Sequence, residues 1–149
     1  MSLVFTETLR GSYFEVDQPA ITRLCEVFIH VRLPRPTGAM RVVEAEMTGT
    51  ATFERLATQQ PIRGQLRLQL ARPRHVSYAF QVQTDDGRTL QFAGAKHPSL
   101  MRPVYSATSL WGTLSEAGVP RAMVRLHFDL RRDLVAFLQS LGRTADRLP

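Results

Sequence analysis

Apolar and polar residues alternate with a period of two through most of this chain. The clearest example runs from Pro61 to Arg72, where isoleucine and leucine alternate with arginine and glutamine. Because successive side chains of a β-strand point to opposite faces, this segment predicts a strand with one dry and one wet face. The same pattern recurs in about eight segments, which predicts a mainly β, antiparallel protein.

Turn signals separate the alternating segments and keep most connections short. Asp85-Asp86-Gly87 is the strongest hairpin signal, while Pro34 and Pro73 end strands. Strands do not alternate with long helices, so a parallel βαβ sheet is excluded. We predict an up-and-down, calycin-like barrel of about eight strands, with a two-sheet β-sandwich as the alternative.

The hydrophobic period changes near the end of the chain. Leu134, Phe137 and Leu141 recur at helical spacing, which predicts one C-terminal amphipathic helix. The 149 residues fit one domain. The predicted boundaries are a single β-barrel domain over 1–142, its helix over about 131–141, and a frayed tail over 143–149.

Charge and composition narrow the classes of partner. The net charge is +6, but the arginines are dispersed and Lys96 is the only lysine, so nucleic-acid binding is not favoured. No apolar run approaches the ~18 residues of a transmembrane helix, and the N-terminus lacks signal-peptide features, so a cytoplasmic location is expected. The one cysteine, Cys25, falls at an apolar strand position and is expected to be a buried thiol.

Catalytic, metal-ligating and cofactor-binding residues are not identified in the sequence. His30 and His127 lie between inward-facing apolar residues and should point outward. Glu44 and Glu46 fall on the polar face of a strand, which favours a solvated pair over an acid–base pair. No glycine-rich fingerprint supports a flavin or nucleotide.

Two charged residues break the alternation. Glu7 shares a strand face with Phe5 and Leu9, and Lys96 shares one with Phe92. A lone buried charge is costly, so inward-facing charges need a partner or a solvated cavity. We predict that Glu7 and Lys96 pair across the barrel or lie near its mouth; the alternative is that they are strand-end charges that reach solvent.

The remaining candidate site residues are aromatic. Four of them would form an apolar ligand-binding lining around Glu7 and Lys96: Tyr78, Phe80, Phe92 and Trp111. For Trp111 alone, packing over one end of the core is the alternative. Several inward positions are small, namely Ala45, Gly64 and Gly94, which permits a cavity without requiring one.

Short motifs resemble a known family through their order and spacing. Phe5–Gly11 resembles a Phe-Thr-Glu-Thr-Met-x-Gly opening, and Tyr78–Lys96 resembles a Tyr-x-Met-x-Leu…Gly-Arg-Thr…Phe-x-Gly-x-Lys segment. Further along, Thr108–Trp111 resembles a Thr-Thr-Leu-Tyr segment, and Arg125–Leu141 resembles a strand followed by Asp-Leu/Phe-x-x-x-Leu. Together they resemble the accessory β-domain associated with bacterial cholesterol-oxidase-like glucose–methanol–choline oxidoreductases and lipase-like hydrolases. The resemblance implies an association with sterol or lipid metabolism, but no defined reaction. The chain departs from the pattern at Ser106, where an Asp is usual, and at Trp111, where a Tyr is usual.

These observations favour a non-enzymatic accessory or binding module. It would hold an apolar lipid or sterol-like ligand, or dock on a lipid-active enzyme. One alternative is a small isomerase, cyclase or hydrolase that uses Glu7 as acid or base inside the barrel. The other is a homo-oligomeric structural protein that associates through an exposed strand edge or the C-terminal helix.

Overall fold

The computed structural model describes residues 3–34, 42–69, 75–96 and 109–128, which form one closed antiparallel barrel. Each strand pairs with the next along the chain, and the first also pairs with the last, so the order is up-and-down. The strands are β1 (Leu3–Glu15), β2 (Arg23–Leu33), β3 (Val42–Phe53), β4 (Ala57–Gln69), β5 (His75–Gln83), β6 (Thr89–Lys96), β7 (Ser109–Glu116) and β8 (Val119–Phe128). The predicted eight-stranded barrel is therefore confirmed. The β-sandwich alternative is wrong, because pairing of β1 with β8 closes the sheet.

The pairing register is staggered around the barrel. We followed the paired residues from strand to strand once around the barrel. A path that starts at Phe5 returns to β1 at Glu15, ten residues further along. Closure with such a stagger tilts the strands by roughly 35–45° to the barrel axis. At eight strands, the interior is either filled by side chains or holds one small ligand.

Alternate residues of every strand face a shared apolar interior. In β2 the inward residues are all at most 6% exposed, namely Cys25, Val27, Ile29, Val31 and Leu33. Phe80 and Phe92 stack near the middle of the barrel, with ring centroids 4.7 Å apart. A Cβ on Gly112 would lie 2.5 Å from the Phe92 ring, so this ring position requires a glycine in β7.

One end of the barrel, here called the turn end, carries the described connections 16–22, 54–56, 84–88 and 117–118. Tyr13 packs edge-on against Phe53, with ring centroids 5.5 Å apart, and its hydroxyl donates to the Glu54 carbonyl oxygen. The Asp85 amide donates to the Leu56 carbonyl oxygen over 3.0 Å, joining two turns. The predicted hairpin at Asp85-Asp86-Gly87 is confirmed as the β5–β6 connection.

Some expectations on boundaries differ from the structure or lie outside it. β4 begins at Ala57 rather than Pro61, because the β3–β4 register shifts between Ala51 and Phe53 and pairs Phe53 with Ala57. The predicted C-terminal helix over about 131–141 and the tail over 143–149 lie outside the described residues. Within the described ranges, no helix is long and apolar enough to cross a membrane.

Candidate ligand-binding site

Glu7 is a charged side chain inside the barrel. It lies on the inward face of β1 next to Leu9, pairs with Ile29 of β2, and is only 5% exposed. Its position follows from the strand period, because Leu9 and Tyr13 on the same face are also buried. The predicted inward orientation of Glu7 is therefore confirmed, and the strand-end alternative is wrong for this residue.

Tyr78 reaches the same interior from the opposite wall. It lies in β5, which is four strands from β1 in either direction around the barrel, and it is 7% exposed. Burial raises the pKa of the Tyr78 hydroxyl far above its usual range, and the nearby Glu7 charge raises it further. Tyr78 therefore carries a neutral hydroxyl, which can both donate and accept a hydrogen bond.

The surroundings of this polar pair are apolar. Tyr78 pairs with Leu66 on one side and with Gly94 on the other, and Phe80 follows on the same face of β5. The described part of the chain contains two buried polar or charged side chains apart from the tyrosines, Glu7 and Thr84. Thr84 lies at the turn end, where its hydroxyl oxygen accepts from the Arg88 amide over 2.8 Å. Away from the turn end, Glu7 and Tyr78 are therefore the polar side chains of an interior that is otherwise apolar among the described residues.

The other sequence-predicted lining residues divide into two groups. Phe80 and Phe92 lie in the interior at 4% and 1% exposure, as the alternation predicted. Their predicted role in ligand binding, like that of Glu7 and Tyr78, stays a prediction. The Lys96 backbone pairs with Val76 at the end of β6, but its side chain lies outside the described part of the chain. The Glu7–Lys96 pair also stays a prediction.

The expectation that Trp111 lines the interior is wrong. Trp111 is 57% exposed on the outer wall, and the Arg125 guanidinium lies 5.0 Å from its ring centroid. The inward positions of β7 are taken by Leu110 and Leu114, so the pleat turns Trp111 to the outside. The sequence contained this signal, since Trp111 shares a strand face with the polar Thr113.

Other candidate chemistry lies on the outer wall or is buried and inert. The predicted outward orientation of His30, His127, Glu44 and Glu46 is confirmed, because all four side chains are exposed. Cys25 is buried, and burial raises its pKa to about 12, so it is a neutral thiol. Across the described ranges, no group of three or more His, Cys, Asp or Glu side chains could hold a metal ion.

Sequence reasoning missed Tyr13, the buried tyrosine of the turn end. Burial raises its pKa above the usual value, and its ring is 1% exposed. Continued alternation from Glu7 through Leu9 and Gly11 would have placed it inside. The alternation along β1 predicts that Tyr13 lies on the inward face of the strand. It does not predict the hydrogen bond from Tyr13 to Glu54, which depends on the neighbouring β3–β4 turn.

No family model matches the chain, and neither a curated protein nor a solved structure is similar to it. The resemblance to accessory β-domains of lipid-active enzymes therefore stays a prediction. The geometry of the barrel itself carries the functional argument.

Proposed function

We propose that this barrel is a non-enzymatic binding module that holds one small apolar ligand, with Glu7 and Tyr78 contacting the ligand's polar end. The observation that carries the proposal is that Glu7 and Tyr78 are both buried and point inward from opposite strands, into an interior whose other described side chains near them are apolar. Small-molecule sites have this composition: apolar walls and a few convergent polar groups that fix orientation. Where side chains do not fill it, an eight-stranded barrel is also the size that accommodates a single small ligand.

Glu7 lies in apolar surroundings. Leu9 lies next to it on the same face of β1 and Ile29 is its partner in β2, and each of these two side chains is 1% exposed. A ligand whose polar end contacted Glu7 would therefore place its apolar part against the interior walls of the barrel.

Docking on a lipid-active enzyme remains a proposal that depends on the family resemblance. The exposed Trp111 on the outer wall is compatible with a protein contact, because large exposed aromatics are enriched at interfaces. The enzymatic alternative also rests on Glu7, and a site of that kind would bind its ligand inside the barrel as well. Ligand binding inside the barrel is therefore the first property to test.

The test uses a pair of variants that add the same volume inside and outside the barrel. Ala45 is inward and 4% exposed, and its partner Leu66 also pairs with Tyr78, whereas Ala79 is outward and exposed. Binding of the neutral probe N-phenyl-1-naphthylamine to the full chain is followed by fluorescence, and native mass spectrometry detects any co-purified apolar molecule. We expect Ala45→Leu to weaken probe binding by about tenfold or more through lost space, with Ala79→Leu unchanged.

Two results would overturn the proposal. The first is an apo mass together with the absence of any saturable probe binding to the unmodified chain. The second is saturable binding that Ala45→Leu and Ala79→Leu affect equally, which would place the probe elsewhere on the protein. Circular dichroism and thermal melting of both variants establish that the barrel is intact.

A further inference from the structure

Three neighbouring strands of the barrel have an outer face without charges. The outward side chains over 77–83 of β5, 89–95 of β6 and 111–115 of β7 are all uncharged. The outer face of β2, β3 and β4 differs, because it exposes these charged residues: Glu26, Arg32, Glu44, Glu46, Arg63 and Arg67. Since a solvated sheet face is ordinarily polar, the uncharged side of the barrel is a candidate contact surface.

The part of this face away from the turn end combines small side chains with one large aromatic ring. We call the following residues the uncharged wall: Ser77, Ala93, Ala95, Trp111 and Thr113. Ala95 pairs with Ser77 on one side and with Trp111 on the other, and Trp111 is 57% exposed. The wall is bordered on β8 by Arg125, whose guanidinium lies 5.0 Å from the Trp111 ring centroid. An apolar centre with a charged rim is typical of a contact surface.

The chain itself supplies an apolar segment beside this wall. β8 ends at Phe128, and His127 pairs with Ser109 at the start of β7, so the chain leaves the barrel next to β7. The hydrophobic spacing that follows predicts an amphipathic helix over about 131–141. An apolar stripe of this kind needs a surface against which it can be buried.

The lengths of chain agree with a contact between this segment and the wall. The connection from 128 to 131 can span at most ~10 Å, which is about two strand spacings. A helix over 131–141 would be ~16 Å long. The two spacings that separate β7 from β5 add up to ~10 Å. The predicted helix is therefore long enough to cover the wall from β7 to β5.

We propose that the C-terminal segment after β8 docks on the uncharged wall, with the apolar stripe of its predicted helix against Ala93, Ala95 and Trp111. The proposal concerns the outside of the barrel and does not depend on ligand binding inside it. It has one consequence for partners. A second protein could contact Trp111 only after displacing the segment.

Trp111 is the single tryptophan of the chain, so its fluorescence reports directly on the wall. Quenching by acrylamide is measured on the full chain over a series of protein concentrations, with N-acetyltryptophanamide as the fully accessible reference. We expect Trp111 to be protected from the quencher to the same extent at every concentration, because docking within one chain is an intramolecular event.

Matched variants of the full chain test both sides of the contact. Phe137→Asp places a charge in the apolar stripe, so the quenching constant of Trp111 should rise and its emission should move to longer wavelength. Gln139→Asp introduces the same charge on the polar face of the predicted helix and should leave both quantities unchanged. On the barrel, Ala93→Arg should expose Trp111 in the same way, whereas Thr48→Arg on the exposed outer face of β3 should not.

The proposal fails on any of three results. Quenching of Trp111 as strong as that of the reference would show that the wall is uncovered. Protection that disappears on dilution would assign the wall to a second copy of the chain. Protection that survives both Phe137→Asp and Ala93→Arg would show that something other than the segment covers Trp111. The first two results come from the unmodified chain, so they decide the proposal even where a variant fails to fold.

Discussion

In the described part of the chain, each half of the barrel buries one tyrosine, and the two tyrosines have different environments. At the turn end, the Tyr13 hydroxyl donates to a backbone carbonyl of a short turn, and its ring packs on Phe53. Toward the other end, here called the Glu7 end, Tyr78 is buried in the same interior as Glu7, whose charge raises the pKa of its hydroxyl. A backbone acceptor in a tight turn stabilises the fold, whereas a side-chain carboxylate among apolar residues can also recognise a ligand. The same residue type is thus structural in one half and available for binding in the other.

The largest effect is expected at the turn end. Phe53→Ala should lower the free energy of unfolding by about 3–5 kcal/mol, because Phe53 is fully buried and its removal leaves a cavity. Chemical denaturation measures the loss through the midpoint at unchanged slope. A saturating concentration of N-phenyl-1-naphthylamine should stabilise this variant by the same increment as the unmodified chain, since we propose that the ligand binds at the Glu7 end. A lost ligand increment would mean that the two halves are not independent.

A second variant probes the boundary between the halves. Gly112→Ala places a Cβ 2.5 Å from the Phe92 ring, so the ring must move, and we expect a loss of about 1–3 kcal/mol. Phe92→Leu should recover part of that loss in the double variant, because the shorter side chain frees the space. Thermal melting of the two single variants and the double variant gives the coupling free energy between the two substitutions. Strictly additive losses of stability would contradict the expected clash between the new Cβ and the Phe92 ring.

The two tyrosines themselves give the sharpest comparison. Tyr13→Phe should cost about 1 kcal/mol of stability, the usual value of one hydrogen bond, with no change in the affinity for N-phenyl-1-naphthylamine. Tyr78→Phe should change the affinity for this probe, because we propose that the Tyr78 hydroxyl contacts the polar end of the ligand. Denaturation and probe binding are measured on both variants. The reverse result would exchange the structural and binding roles that we assign to the two tyrosines.

The smallest effect is expected from the surface of the turn end. Hydrogen bonds from the Gln60 side chain and from the Thr58 amide and hydroxyl lower the pKa of Asp85. A depressed folded-state pKa stabilises the protein above the unfolded value near 3.8, and this contribution is lost as the pH falls through the folded value. Asp85→Asn should therefore lose less stability between pH 6 and pH 2 than the unmodified chain.

A matched control separates this local effect from the general loss of negative charge. Glu44→Gln removes a carboxylate from the exposed outer face of β3. Its midpoint of denaturation should depend on pH more nearly as that of the unmodified chain does. Identical pH dependence in Asp85→Asn and the unmodified chain would remove Asp85 from the acid response.

The sequence by itself determined the strands and the face on which each residue lies. Alternation is a local property with a period of two, so Glu7 and Phe92 could be placed inside, and His30 outside, before any pairing was known. The same rule applied to Trp111 predicts an outward side chain. The prediction that Trp111 lines the interior was wrong because it followed the aromatic character of the residue and not the alternation of the strand. Strand bounds were less accurate, since the shift in register beside Phe53 leaves no mark in the hydrophobic pattern.

The tertiary structure alone decided which inward residues meet. Closure depends on pairing between β1 and β8, at opposite ends of the described chain, and the approach of Glu7 to Tyr78 depends on all the registers between their strands. A slip of one residue in any of these would turn whole faces of strands outward. Periodicity is encoded residue by residue, whereas register is a property of the assembled sheet. The sequence could therefore predict that Glu7 and Tyr78 point inward, but not that they lie on opposite walls of one interior.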